Sequence, residues 1–408
     1  MSIGPAPAAA ERAARTSYAR LVALLAASTG DLALAEDALA AAFEEALRRW
    51  PETAVPENPE GWLLTVARNR QRDVWKSAAV RGSVSLDEAA GEPVDPLAEY
   101  APLVIGDKRL ELLFVCAHPA IDEAVRTPLM LQVVLGFEAS QIARAFAVPS
   151  ATMAQRLVRA KRRIKNARVP FEVPGRRLMP ERLPAVLEAV YGCAALAWRG
   201  GPDSLAGEAR YLAVTLAELL GTEAEAWGLA ALTTLTLARR REHGFVPLDE
   251  QDPGGWDAGL VVEGEAYLRR ALPGAAPGRF QLEAAIQAVH CDRLRTGTTD
   301  WAALRTLYAA LLTVAPSLGA RVAAAVVAGR IDGPEAGLAA LPRDAELFQP
   351  YWAARAELLA GAGCDASEAY RRAAELAEDP AVAEFLRRRA RSIRSGLPRG
   401  GPGWTRSP

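Results

Sequence analysis

The chain is predicted to be all-α, on three observations. Hydrophobic residues recur at three- and four-residue spacing almost throughout, alternating strand-like runs are missing, and the strongest helix formers, Ala, Leu, Glu and Arg, dominate. With 408 residues, 50% hydrophobic and 24% charged, the chain has the composition of an ordinary globular protein and length for two or three domains. The signature of disorder, low hydrophobicity with high net charge, is absent, since 48 Lys and Arg face 49 Asp and Glu. No stretch approaches the ~18 uncharged apolar residues of a membrane span. Leu21 to Ala27 follows Arg12, Arg15 and Arg20, but it leads straight into Asp31, Glu36 and Asp37 without a convincing cleavage site. The expected location is therefore the cytoplasm, with no membrane partner.

The first section, residues 16–81, holds an amphipathic helix from Asp31 to Trp50, DLALAEDALAAAFEEALRRW. After the loop PETAVPENPE comes a second helical string, GWLLTVARNRQRDVWK. From Arg68 to Arg81 five bases (Arg68, Arg70, Arg72, Lys76 and Arg81) face Asp73 alone. Trp62 reads as core packing, whereas Trp75 fits either the core or a stacking surface. Residues 82–106 lose the periodicity, carry Gly91, Pro93, Pro96 and Pro102 among acids, and read as a linker.

The second section, residues 107–169, contains a helix-turn-helix pattern between Glu138 and Lys165. Ile142, Ala143 and Phe146 form the inner face of its first helix. Ala147-Val148-Pro149 is the turn, with Val148 plugging the angle and Ser150 as N-cap of the next helix. In that helix Met153, Leu157, Ala160 and Ile164 fall at spacings of four, three and four, and so face the core. Thr152, Gln155, Arg156, Arg159, Arg162 and Arg163 are left outside. A recognition helix needs this arrangement, with polar residues near its start for base edges and Arg or Lys beyond them for phosphates. Ten bases between Gln141 and Arg177 face one acid, Glu172, so the charge favours a polyanionic partner over a plain solvated face.

A Pro/Gly segment (Pro170, Pro174, Gly175, Pro180) leads into residues 181–395, a series of helical pieces punctuated at Gly201, Pro253, Pro273, Pro277, Gly333 and Pro342. Small residues where helices could cross (Ala230, Ala231, Ala309, Ala310, Ala373, Ala374) suggest a stacked array of helix hairpins. Such arrays offer concave surfaces to proteins; the alternative is an annex that only stabilises the chain. The tail from Gly396 to Pro408 is expected to be disordered.

Cys116, Cys193, Cys291 and Cys364 lie more than seventy residues apart without a CxxC, as expected of reduced, buried thiols. Cys116 with His118 and His290 with Cys291 lack zinc-ligand spacing and are read as core. Only three histidines are present, and there is no HExxH, GxSxG or P-loop, so neither an enzyme nor a cofactor is expected.

The strings AEDA…AF…ALRRW and NPEGWLLTVARNR…D, then RLELLFVCAHPAI and IARAFAVPSATMAQRLVRAKRRIK, resemble the extracytoplasmic-function sigma factors of bacterial RNA polymerase. LDEQDPGGWD, FQLEAAIQAVH, DGPEAGL and EAYRRAAELAED resemble the subgroup with a fused tetratricopeptide-like domain. The sequence departs from the family at Ala40 and Ala41, where Gln-Glu is usual, and at YGCAALAW, Tyr191 to Trp198, where an acidic, Asn-containing motif is usual. The resemblance implies a sigma region 2 over 16–81, a region 4 over 107–169 and a tetratricopeptide-like regulatory domain over 181–395. It implies core RNA polymerase and promoter DNA as partners. Glu36, Asp37, Phe43 and Leu47 would dock on polymerase. Asn69 would contact a flipped −10 base, with Arg68, Arg70, Arg72 and Lys76 on the strand's phosphates. The helix-turn-helix residues would read the −35 duplex. The C-terminal series, lacking any pocket motif, is expected to meet a protein partner or to make an intramolecular contact. From the residues alone, a helix-turn-helix regulator that never joins polymerase, or a scaffold without a DNA role, remains open.

Overall fold

Helix α1 (Pro5–Thr29) and helix α2 (Leu32–Thr53) meet at a sharp turn. Gly30 takes a φ of +67° there, where a side chain would be strained, and the Asp31 carboxylate caps α2 by accepting from Leu34 N at 3.2 Å. Helix α3 (Pro59–Arg81) starts with Pro59 in its first turn, and the Asn58 side chain accepts from Gly61 N at 2.9 Å. Glu60 then ties α3 to α1, accepting from the Ser17 hydroxyl and pairing with Arg20. Leu21 and Leu25 of α1, Leu32 and Leu39 of α2, and Leu63 of α3 are fully buried among these three helices.

The chain is described by a computed structural model at residues 5–81, 102–146, 148–169, 171, 178–198, 203–240, 244–272 and 276–394. Residues 82–101 of the expected linker (82–106) and the whole expected tail (396–408) lie outside them, as does most of the Pro/Gly segment. Among the described residues every regular element is helical. The chain divides into two compact units, Met1–Cys193 and Ala194–Pro408.

In the first unit, α4 (Pro102–Cys116), α5 (Glu123–Val133), α6 (Ala139–Ala145) and α7 (Ser150–Asn166) follow, and the unit ends within α8 (Met179–Trp198). α4 packs against both α1 and α5, and buries Leu110, Leu112, Leu113 and Phe114. It begins at Pro102, inside the stretch expected to be linker, because proline is tolerated in a first helical turn. Met153, Leu157, Ala160 and Ile164 are the buried residues of α7, as their spacing requires. Two expectations nearby need correction. Phe146 is 40% exposed, because α6 ends at Ala145 and the helical spacing that would bury it stops one residue short. Ser150 is the first residue of α7; Pro149 occupies the cap position, and no side chain caps that end.

The second unit contains α9 (Asp203–Leu220), α10 (Ala224–Ala238), α11 (Ala258–Ala271), α12 (Arg279–Cys291), the short α13 (Arg293–Thr296) and α14 (Trp301–Val314). It continues with α15 (Leu318–Asp332), α16 (Pro334–Ala340), α17 (Gln349–Gly361), α18 (Ser367–Glu375) and α19 (Pro380–Arg394). Most helices pack on near neighbours in the chain, which makes the unit an open series. α10 is buried on all sides, and its apolar residues run round the whole helix accordingly. Its Gly228 admits α12 at close range, since a Cβ there would lie 2.7 Å from Gln281 N. Glu225, one turn earlier, caps α12 by accepting from Phe280 N and Gln281 N, each at 3.1 Å. Ala230, Ala231, Ala373 and Ala374 are buried, but Ala309 is exposed, because it lies on the opposite side of α14 from Leu304 and Leu311. Cys364 is exposed as well, in the turn after α17, whereas the other three thiols are buried.

Candidate nucleic-acid interface

The sequence pattern of α3 sorts its side chains cleanly. Leu63, Ala67 and Gln71, four apart, are buried, whereas Asn69, Arg70 and Arg72 are exposed and Arg68 is half-buried. Arg72 Nη1 donates to Asn69 Oδ1 at 3.4 Å, so amide and guanidinium share one patch. Trp75 is 51% exposed on the same helix, so it does not belong to the core. Trp62 instead packs edge-on against the buried Trp50, with ring centroids 5.5 Å apart. Lys76 belongs to α3, but its side chain is outside the described residues.

On α7, Gln155, Arg156, Arg159, Arg162 and Arg163 are exposed and Thr152 is half-buried. Their three- and four-residue spacing lines them along one side of the helix. Arg163 Nε is partly engaged, donating to the Ala120 carbonyl at 3.3 Å. The other arginines of that side point away from the core that Met153, Leu157, Ala160 and Ile164 fill.

The acidic helix α2 presents two different faces. Asp37, Ala40, Glu44 and Leu47 are exposed, and Leu47 keeps 49% of its surface in solvent. Phe43 is half-buried and stacks on Tyr18 of α1, with centroids 6.5 Å apart. Phe43 and Leu47 therefore do not form the single open apolar patch that their spacing suggests. Burial, with the nearby Glu36 and Asp37 carboxylates, pushes the Tyr18 phenol up to about 12, so it stays neutral. Glu45 binds Arg48 at 2.6 Å and also pairs with Arg49, which holds its carboxyl below the usual range.

Glu36 is not free. Lys161 of α7 donates to both of its carboxylate oxygens, at 2.8 and 2.6 Å, and Lys165 pairs with Asp31 at 2.7 Å. The first pair is enclosed, its side chains retaining 12% and 19% of their exposure. Beside it the buried Cys116 thiol is pushed up by desolvation and is inert. Two lysines of the basic helix thus neutralise the Asp31 cap and Glu36 of α2, and among the described residues no acid pairs with the outward arginines. Sequence reasoning missed this contact. Lys161 and Lys165 stand four apart and so share a side of α7, but Asp31 and Glu36 are five apart, a spacing that marks no common face, and nothing local says that the helices meet.

Residues 14–81 match the sigma-70 region 2 family, and residues 182–272 match a family of unknown function, DUF6596. The chain is 34% identical over 380 residues to an uncharacterized protein of Rhizobium meliloti (strain 1021), covering 88% of this chain and 89% of that protein. It is 30% identical over 162 residues to the probable ECF RNA polymerase sigma factor SigI of Mycobacterium tuberculosis, in both strain CDC 1551 / Oshkosh and strain ATCC 25618 / H37Rv. That alignment spans 39% of this chain and 55% of SigI. No solved structure matches the chain. The N-terminal helices are therefore a sigma-70 region-2-like domain, and the C-terminal helices a fused α-helical domain of unknown function. No helix among the described residues is long and apolar enough to cross a membrane.

Proposed function

We propose that this chain, which belongs to the same family as the Rhizobium meliloti protein, is a sigma factor of the extracytoplasmic-function kind that binds core RNA polymerase and directs it to promoters. The observation that carries the reading is the region 2 match over 14–81, because it falls on the helices whose exposed faces hold Asp37 and Leu47 on one side and Asn69 with its arginines on the other. Sigma-70-family proteins are non-enzymatic transcription factors, and the chain is not an enzyme.

In this reading Asp37 and Leu47 supply charge and apolar surface to polymerase, with Glu36 and Phe43 beside them. On α3, Asn69 meets a base flipped out of the −10 region, since a carboxamide presents a donor and an acceptor to an unstacked edge. Trp75 stacks on a neighbouring base, while Arg68, Arg70, Arg72 and Lys76 hold the strand's phosphates. Helices α6 and α7 act as the helix-turn-helix of region 4. Thr152, Gln155 and Arg156 reach −35 base edges, and Arg159, Arg162 and Arg163 hold phosphates. The second unit, read as a tetratricopeptide-like array, regulates the output.

Asn69→Ala tests the division of labour. It is expected to reduce formation of the open complex about tenfold, the loss of one or two hydrogen bonds to a base, while leaving binding to double-stranded −35 DNA unchanged. Permanganate footprinting of the melted strand and gel retention of a −35 duplex read the two steps separately. Equal loss of both, in a folded protein, would contradict the assignment.

A further inference from the structure

The second unit holds a half-open cavity of about 510 Å³, within the usual range for a small-molecule site. Helices α12, α13, α14, α15, α17, α18 and α19 contribute to its wall, and the segment from Phe245 to Glu250 borders it. That segment is a strap across the series. Phe245 packs edge-on against Phe385 of α19 at 5.3 Å, Asp249 pairs with Arg330 of α15, and Glu250 pairs with Arg389 of α19. Its far end is fixed by the string LDEQDPGGWD. There the Trp256 indole donates to Gln251 Oε1 at 3.2 Å, and Arg293 donates to the carbonyls of Leu248, Asp249 and Gln251 at 2.6, 3.3 and 3.1 Å. A series of near-neighbour contacts is thereby locked across its length around a space that no side chain fills.

The lining chemistry limits what can enter. Most of the wall is aliphatic or aromatic, including Trp301, Leu304, Val326 and Phe385. Its charged groups already have partners. Asp249 and Glu250 hold arginines, Arg293 is spent on carbonyls, and Glu357 accepts from the Tyr370 hydroxyl at 2.5 Å. Uncharged polar side chains also face the space, and two of them besides Tyr370 carry rings. His290 of α12 and Tyr308 of α14 line the cavity and have no hydrogen-bond partner among the described residues. Both are uncharged at neutral pH. Burial, reinforced by Arg239 and Arg293, pulls the imidazole down to about 3, and burial with Glu283 pushes the phenol up to about 12. Their polar atoms are reached by water through the open side of the cavity, and a ligand that displaces that water must bond them in its place.

We propose that this cavity is a binding site for an uncharged, largely apolar small molecule carrying a hydroxyl or carbonyl oxygen, which pairs with Tyr308 and His290. A charged ligand would bury its charge against a wall that is mostly apolar. The site is independent of the polymerase reading, and its test needs no transcription.

The full-length protein is titrated with Nile red, an uncharged fluorophore, followed by displacement with indole-3-ethanol and with indole-3-acetate. These differ mainly in charge. Saturable binding of one dye per chain is expected, displaced by the alcohol at least about tenfold more effectively than by the acid. Ala323→Phe in α15 and Ala353→Phe in α17 each place a ring into the space from a different helix, so one of them reports even if the other disturbs folding. Either variant with unchanged helical circular dichroism should lose dye binding, and Tyr308→Phe, which keeps the volume, should weaken the alcohol alone. Absence of saturable binding, binding that survives both filled cavities, or equal displacement by acid and alcohol would overturn the proposal.

Discussion

Lys161→Glu is expected to loosen α7 from α2 by about 3 kcal/mol, between the small worth of an exposed ion pair and the cost of breaking a buried one. Lys161 reaches both oxygens of Glu36 in a contact that is more than four-fifths enclosed, so reversal sets two carboxylates against each other with little water to separate them. Lys165 and Asp31, one turn away, would remain as an exposed tether of small worth. Hydrogen exchange of the α7 amides in the full chain should accelerate about a hundredfold, and the double variant Glu36→Lys/Lys161→Glu should recover most of the protection. Unchanged exchange in the single variant, or no recovery in the double, would contradict the pairing. Glu36 also belongs to the surface proposed for polymerase, so docking and the α2–α7 contact compete for one carboxylate.

The second large effect is expected on α7 itself. Arg156 lies on the exposed side near Gln155, in the N-terminal half of the helix, where a recognition helix reaches base edges. Arg162 is exposed two turns later, where phosphates are the nearer target. Arg156→Ala should cost about 1–3 kcal/mol on the preferred −35 sequence and flatten the preference at one position, while Arg162→Ala should weaken all sequences alike and lower the salt slope by about one. Both are solvent-exposed, so neither change should unfold the unit. Titrations of each variant on matched and mismatched duplexes at several salt concentrations separate the two roles. The reverse pattern would mean that α7 meets DNA through a different face.

What could be read in the chain beforehand follows the range of the forces involved. The inner quartet of α7 was legible because a 3.6-residue period assigns a helix face without knowledge of its neighbours. The same local logic marked Arg156, Arg159 and Arg162 as outward, and they are. It failed at Phe146, because the period was extended one residue beyond the end of α6. It failed again at Ala309, where smallness was taken as a sign of helix crossing although the apolar face of α14 lies elsewhere. Phe43 and Leu47 share a helix side by spacing, yet Tyr18 from α1 covers one and leaves the other open. The Lys161–Glu36 pair joins residues 125 apart, and no periodicity encodes such a meeting.

The cavity shows the same limit at larger scale. LDEQDPGGWD stands out as a string, but its work is visible only once Trp256, Gln251 and Arg293 assemble around it and Asp249 and Glu250 reach α15 and α19. The residues that line the space come from seven α-helices and the segment from Phe245 to Glu250. None of them forms a motif, which is why the sequence alone favoured a protein surface over a small-molecule site.

The most direct measurement for the central claim is initiation by purified core RNA polymerase on a pool of genomic fragments, with and without the full-length chain, with start sites mapped and polymerase retention scored on the immobilised protein. Retention of core enzyme is expected, with discrete start sites that appear only with the chain, and both should be reduced by Asp37→Lys, whose exposed carboxylate faces away from the α2 core. Identical transcripts with and without the chain, and no retention of polymerase by a folded protein, would contradict the claim.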